Sequence, residues 1–264
     1  MHQLKLQQTK SEFMSHRAQT LLGFLVFLTG ISVHDSTFAL AQEQTQTEGH
    51  VKLFSQITSR HITPYDKIDK ALESQNYDEV NRLFKELEIN PELSVIERAS
   101  LAQFHGHTCI AMDDLHCALA EFKKMLAMHE ELHKSTYDQT LYTITQVNFS
   151  LENYNDALTY ARLRLESQNE PTSDAFILVS QAYYMLENYN QALPNVLNSI
   201  RILRDNGSVP KEGTLNLLNA IYRKTGQFEK MLPVLEELIE HYPKDVYQQI
   251  LSDVTRELKR IQIK

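Results

Sequence analysis

Five consecutive residues, His129-Glu130-Glu131-Leu132-His133, spell H-E-x-x-H. On a helix this spacing puts two imidazoles one turn apart on one face. There they can hold zinc while the glutamate serves as general base of a hydrolase. Three features weigh against that use. Glu131 adds a carboxylate inside a segment that such enzymes keep apolar. The segment closes an amphipathic stretch and runs into a loop. No third ligand follows at a familiar spacing. The plainer reading is a solvated helix end. A second constellation is His105, Cys109 and Cys117. The first two are four residues apart and share a helix face; Cys117 follows a turn. A metal site, a Cys109–Cys117 disulfide in an oxidising compartment, or two free, partly buried thiols acting as small apolar fillers all fit, and the free thiols are the simplest. The sequence holds no glycine-rich phosphate loop, nucleophile elbow or dinucleotide fingerprint. The expectation is therefore a protein that is not an enzyme and needs no cofactor or metal.

The elements that would hold such residues repeat. "LENYNDAL" at 151–158 returns as "LENYNQAL" at 186–193, 35 residues later. With the aromatic of this phrase as anchor, equivalents fall at Tyr77, Leu115, Tyr154, Tyr189 and Phe228, spaced 38, 39, 35 and 39 residues apart. Three residues after the anchors come Val80, Ala118, Ala157, Ala192 and Met231. Seven after come Phe84, Phe122, Ala161, Val196 and Leu235. Nine before the last four come the short Gly106, Thr145, Ser180 and Asn219. The columns read as helix, tight turn, helix, with small residues where helices cross closely. Only 7 Gly and 7 Pro in 264 residues, and few period-two β-branched runs, agree with helices on short loops. Such a pair cannot bury its apolar face alone, so successive pairs must stack. The final stretch carries Val246, Ile250, Leu251, Val254, Leu258 and Ile261 as one apolar stripe, the expected face of a capping helix.

Small residues near positions 8 and 20 of a unit, an aromatic near 17 and a closing Pro (here Pro243) resemble the tetratricopeptide (TPR) pattern. The resemblance implies an all-α fold: a right-handed TPR-like α-solenoid of about five helix pairs plus a C-terminal capping helix. The units are expected near 63–93, 94–134, 135–170, 171–207 and 208–243, with the cap at 244–261. In TPR proteins the first helix of each pair lines a groove for another polypeptide. Carried over by column, that groove would present Gln103, His107, Tyr142, Gln146, Phe149, Gln181, Tyr184 and Arg223. The order "SVIERASLAQFHG", "YDQTLYTITQVNFSLENYNDALTYARLRLE", "SDAFILVSQAYYMLENYNQALPNV" and "KEGTLNLLNAIYRKTGQFEKMLPVLEELIEHYPK" further resembles periplasmic TPR proteins that accompany TonB–ExbB–ExbD energy-transduction systems, over roughly 62–264. That resemblance implies a transport accessory whose protein partner is a TonB, ExbB or ExbD component. Another exported adaptor of envelope assembly is the rival within the fold, and the His129-Glu130-His133 zinc hydrolase the rival outside it.

The N-terminus agrees with export. Lys5, Lys10 and Arg17 precede the apolar run Leu21–Val33, and Ala39-Leu40-Ala41 precedes a polar stretch. Thirteen residues are too few to span a bilayer core. The pattern is that of a signal peptide over 1–41, cleaved after Ala41, then a flexible polar linker over 42–62 and the repeat domain over 63–264. Release into the periplasm would leave no membrane anchor. Removing the leader leaves 23 Lys and Arg against 32 Asp and Glu, a net of −9. Such a surface repels nucleic acid.

Overall fold

The structure, a computed structural model, describes residues 62–262. The expected leader (1–41) and, apart from Ile62, the expected linker (42–62) lie outside the described residues. Eleven α-helices occupy the described chain: α1 (Ile62–Glu73), α2 (Tyr77–Glu88), α3 (Val95–Ala111), α4 (Leu115–Ala127), α5 (Lys134–Ser150), α6 (Tyr154–Ser167), α7 (Ser173–Met185), α8 (Tyr189–Asp205), α9 (Glu212–Lys224), α10 (Phe228–His241) and α11 (Asp245–Gln262). There is no strand among the described residues.

Each anchor residue is the first residue of a helix: Tyr77 of α2, Leu115 of α4, Tyr154 of α6, Tyr189 of α8 and Phe228 of α10. The residue two before each anchor is left-handed, with φ of 57° at Gln75, 62° at Asp113, 58° at Glu152, 57° at Glu187 and 70° at Gly226. Four of these five junctions hold the same pair of bonds. The left-handed residue donates its N–H three positions back, as from Glu187 to the Tyr184 carbonyl at 3.0 Å. The next residue donates five back, as from Asn188 to the Tyr183 carbonyl at 2.8 Å. This is the Schellman closure of the first helix. That next residue is also the N-cap of the second helix: the side chains of Asn76, Asp114 and Asn188 accept from Glu79, Cys117 and Gln191. At 186–193 the repeated phrase is thus a helix stop and a helix start written over each other.

The chain forms two compact bodies, parted at Leu151/Glu152. In the first, α1 pairs with α2 around Ile68, Ala71, Val80, Leu83 and Phe84, joined by Leu101 of α3. Here α3 packs on α4, and α4 on α5. The α3–α4 crossing is close: a Cβ on Gly106 would stand 2.9 Å from the Phe122 ring. In the second body, α7 packs on α6 and α8, and the series continues through α9 and α10 to α11. Its core runs from Ala192 to Val254 and includes Leu215, Ile221, Met231, Leu235 and Leu238. Ser180 occupies the column of Gly106 and donates its hydroxyl to the Ala192 carbonyl at 2.9 Å, across the crossing.

The stripe of α11 differs from its expected course. Val246 and Ile261 are about half exposed, while Tyr247 is buried. The inward face runs Tyr247, Ile250, Leu251, Val254 and Leu258. Its rotation is set by the Tyr247 hydroxyl, which has hydrogen-bond partners on α9.

Candidate functional site

The groove residues named from the repeat columns fall in both bodies. In the first, Gln103 and His107 stand four apart on α3, and Tyr142, Gln146 and Phe149 at i, i+4 and i+7 on α5. All five are half-buried. The His107 ring meets Phe122 edge-on, centroids 5.1 Å apart, so part of its surface serves the α3–α4 contact.

In the second body Gln181 and Tyr184 are half-buried on α7 and Arg223 is exposed on α9. The charge of Arg223 acts on the Tyr184 phenol. Burial raises the Tyr184 phenol above its ordinary value, the Lys224 and Arg223 charges oppose that rise, and neighbouring Tyr189 adds to it. The Tyr184 and Tyr189 rings meet edge-on at 5.5 Å. Two rings, Tyr184 on α7 and Tyr189 on α8, with two cations at the end of α9 suit a polypeptide carrying an acidic or carbonyl-rich segment. Lys224 was not named from the columns. A second cation following Arg223 at the end of α9 was the signal for it.

The H-E-x-x-H stretch does not form the helical zinc pair. His129–Glu131 is a turn of 3-10 helix, and His133 is the N-cap of α5, its ring nitrogen accepting from the Ser135 N–H. The chain breaks between the two histidines because the α4 helix ends at Ala127. Among the described residues, ligand-bearing side chains converge in two groups, and neither includes His129 or His133.

The free-thiol reading of Cys109 and Cys117 is overturned. Their sulfurs are bonded, with Cα atoms 5.7 Å apart. The three-residue turn between α3 and α4 brings the end of one helix beside the start of the next, within disulfide reach. Next to this bridge lies a charged cluster. His105 is buried and stacks on Phe84, centroids 4.0 Å apart. Its Nδ1 is 3.3 Å from Glu121 and 3.6 Å from Glu88. Lys124 donates to Glu121 at 2.7 Å and to Glu88 at 3.0 Å. Burial of Glu121 opposes ionisation, but the nearby His105 ring and the hydrogen bond from Lys124 win and hold its carboxyl below the ordinary value. Beside the cluster a pocket of about 380 Å³ is lined by Glu88, Arg98, Leu101, Ala102, Lys124, Ala127 and Met128. Arg98 closes the end of α2, donating to the carbonyls of Glu88 and Asn90. Sequence reasoning missed Glu121. Its signal was a carboxylate six after the anchor, where Leu83 and Val234 are buried.

Known proteins are similar to the chain in fold. No family model and no curated protein matches the sequence. Among solved structures, PilW, a widely conserved type IV pilus biogenesis factor, is 15% identical, with a TM-score of 0.53 over 83% of this chain and 100% of its own. BtubC (BKLC) from P. vanneervenii is 12% identical, with a TM-score of 0.52 over 85% of this chain and 93% of its own. The nearly identical TPR-like repeats assigned to a Podosopora anserina kinesin light chain are 13% identical, with a TM-score of 0.51 over 68% of this chain and 93% of their own. At such identities the likeness is one of fold, and that fold is the all-helical TPR-like α-solenoid.

Proposed function

We propose that this TPR-fold chain is a non-enzymatic scaffold that holds a segment of another protein against the first helices of its pairs. The observation that carries the reading is the Tyr184–Tyr189 aromatic pair of α7 and α8, with the Arg223 and Lys224 charges of α9 acting on Tyr184. Rings supply contact area at little entropic cost, and the cations select a carboxylate-bearing segment. We place the scaffold in the periplasm, on the basic, apolar and Ala-x-Ala order of residues 1–41. There we infer that it accompanies a TonB–ExbB–ExbD-type energy-transducing complex, on the order of its repeat phrases.

A photo-activated cross-linking residue at Tyr184, introduced into the full chain in its native cells, tests both parts. The expected result is an adduct with a TonB, ExbB or ExbD component that disappears in Arg223→Glu/Lys224→Glu cells. Adducts with an envelope-assembly protein instead would overturn the named partner and leave the scaffold. Absence of any protein adduct would overturn the scaffold itself. Edman sequencing of the isolated protein should begin at Gln42, and an intact N-terminus would overturn leader cleavage.

A further inference from the structure

We propose that reduction of the Cys109–Cys117 disulfide turns this corner of the first body into a zinc site made of both sulfurs and His105 Nε2. The two nitrogens of His105 face different chemistry. Nε2 lies 3.8 Å from Cys117 Sγ, while Nδ1 points at two carboxylates, Glu121 at 3.3 Å and Glu88 at 3.6 Å. Carboxylates only accept, so they favour the proton on Nδ1 and leave the Nε2 lone pair aimed at sulfur. A histidine that ligates through one nitrogen and is steadied by a carboxylate at the other is the usual build of a metal site. His105 is 6% exposed, and its Nδ1 makes no good hydrogen bond in the oxidised form, so the ring is held by packing on Phe84 and is poised in place.

The ligand atoms of His105, Cys109 and Cys117 all lie within 4.8 Å of one another. A tetrahedral zinc ion takes sulfur at about 2.3 Å and nitrogen at about 2.0–2.1 Å, which asks the two sulfurs to part to about 3.8 Å. Cys117 sits in the first turn of α4 and can move with its rotamer. Charge favours the exchange: a neutral disulfide is replaced by a neutral unit of one divalent ion and two thiolates, so the buried corner gains no net charge. The soft sulfur pair with imidazole selects zinc over magnesium or calcium.

The chemistry balances with a dithiol as reductant. One of its thiolates attacks Cys117, the half-buried sulfur, and Cys109, which is wholly buried, leaves as thiolate. The second reductant thiolate releases Cys117. Two electrons pass from the reductant to the sulfur–sulfur bond, the reductant closes to its own disulfide, and the protein sulfurs take up two protons. Zinc then displaces both protons, and water fills the fourth position.

The test is a cobalt titration of the full chain, reduced with a phosphine and compared with the oxidised chain. The expected result is one cobalt per reduced chain, with a thiolate-to-metal charge-transfer band, reversal by zinc, and no such band in the oxidised chain. Glu121→Gln, which removes the charge behind the ring while the chain stays folded, should weaken zinc about 10–100-fold. His105→Gln should weaken it further, and Cys117→Ser should about halve the band. Absence of the band in reduced chain with an unchanged helical circular-dichroism spectrum would overturn the proposal. So would a band unaffected by His105→Gln, or loss of the helical spectrum on reduction.

Discussion

The Tyr247 hydroxyl of α11 donates to the carboxylate of Glu212, the first residue of α9. The same oxygen accepts from Asn216 at 3.0 Å, and Lys244 bonds Glu212 at 2.8 Å. This network fixes the rotation of the last helix. Tyr247→Phe removes both hydroxyl bonds and should cost about 1–2 kcal/mol in urea melts. Burial, then the bond to Glu212, raise the phenol well above its ordinary 10.0. A raised folded value means that stability is full below pH 10 and falls as pH rises beyond it, because the unfolded phenol ionises first. The alkaline loss in melts from pH 9 to 11 should be shallower in Tyr247→Phe.

Glu121 titrates in the opposite sense. Its carboxyl is held below the ordinary 4.5, since the neighbouring His105 ring and the bond from Lys124 outweigh burial. Its contribution should be complete above pH 4.5 and drain away as pH falls toward the depressed folded value. Glu121→Gln should therefore lower stability at pH 7 by about 1–3 kcal/mol and flatten the acid limb of a pH series. An equal loss at pH 7 and pH 3 would contradict this account.

Glu187 holds a left-handed conformation at φ 57°, where the equivalent residue before Phe228 is Gly226 at φ 70°. A side chain there is strained and glycine is not. Glu187→Gly should stabilise the protein by about 0.5–1 kcal/mol after the entropic cost of glycine. The melting temperature, read by circular dichroism, should rise by a few degrees.

Gly106→Ala should do the reverse. The new Cβ meets the Phe122 ring at 2.9 Å, in a crossing where both helices are pinned. Overpacking of this kind costs about 1–3 kcal/mol, and the double variant Gly106→Ala/Phe122→Leu should recover part of it.

The fold was legible because the same packing problem recurs. A residue three after each anchor must be buried for its pair to close, and Val80, Ala118, Ala157, Ala192 and Met231 are all wholly buried. What escaped were facts that depend on distance in space. A sequence separation of 8 between Cys109 and Cys117 does not say whether the sulfurs meet; the tightness of the intervening turn does. Glu88 comes from the end of another helix, and no local period links it to His105. Ile250, Leu251, Val254 and Leu258 of the α11 stripe face inward as expected, while Tyr247 takes the place of Val246 because its one polar atom finds its partners inside.

Three residues separate the helices within every pair, at 74–76, 112–114, 151–153, 186–188 and 225–227. Between pairs the gap is five or six residues, and three before α11. Where the last donor of one helix doubles as the cap of its successor, as at Asn76, Asp114 and Asn188, the inner joint has no slack. One added residue there would swing the following helix by about 100° and turn its greasy side outward. Length variation in this architecture is therefore confined to the outer joints, which makes them the natural places to graft a tag, a protease site or a fluorophore.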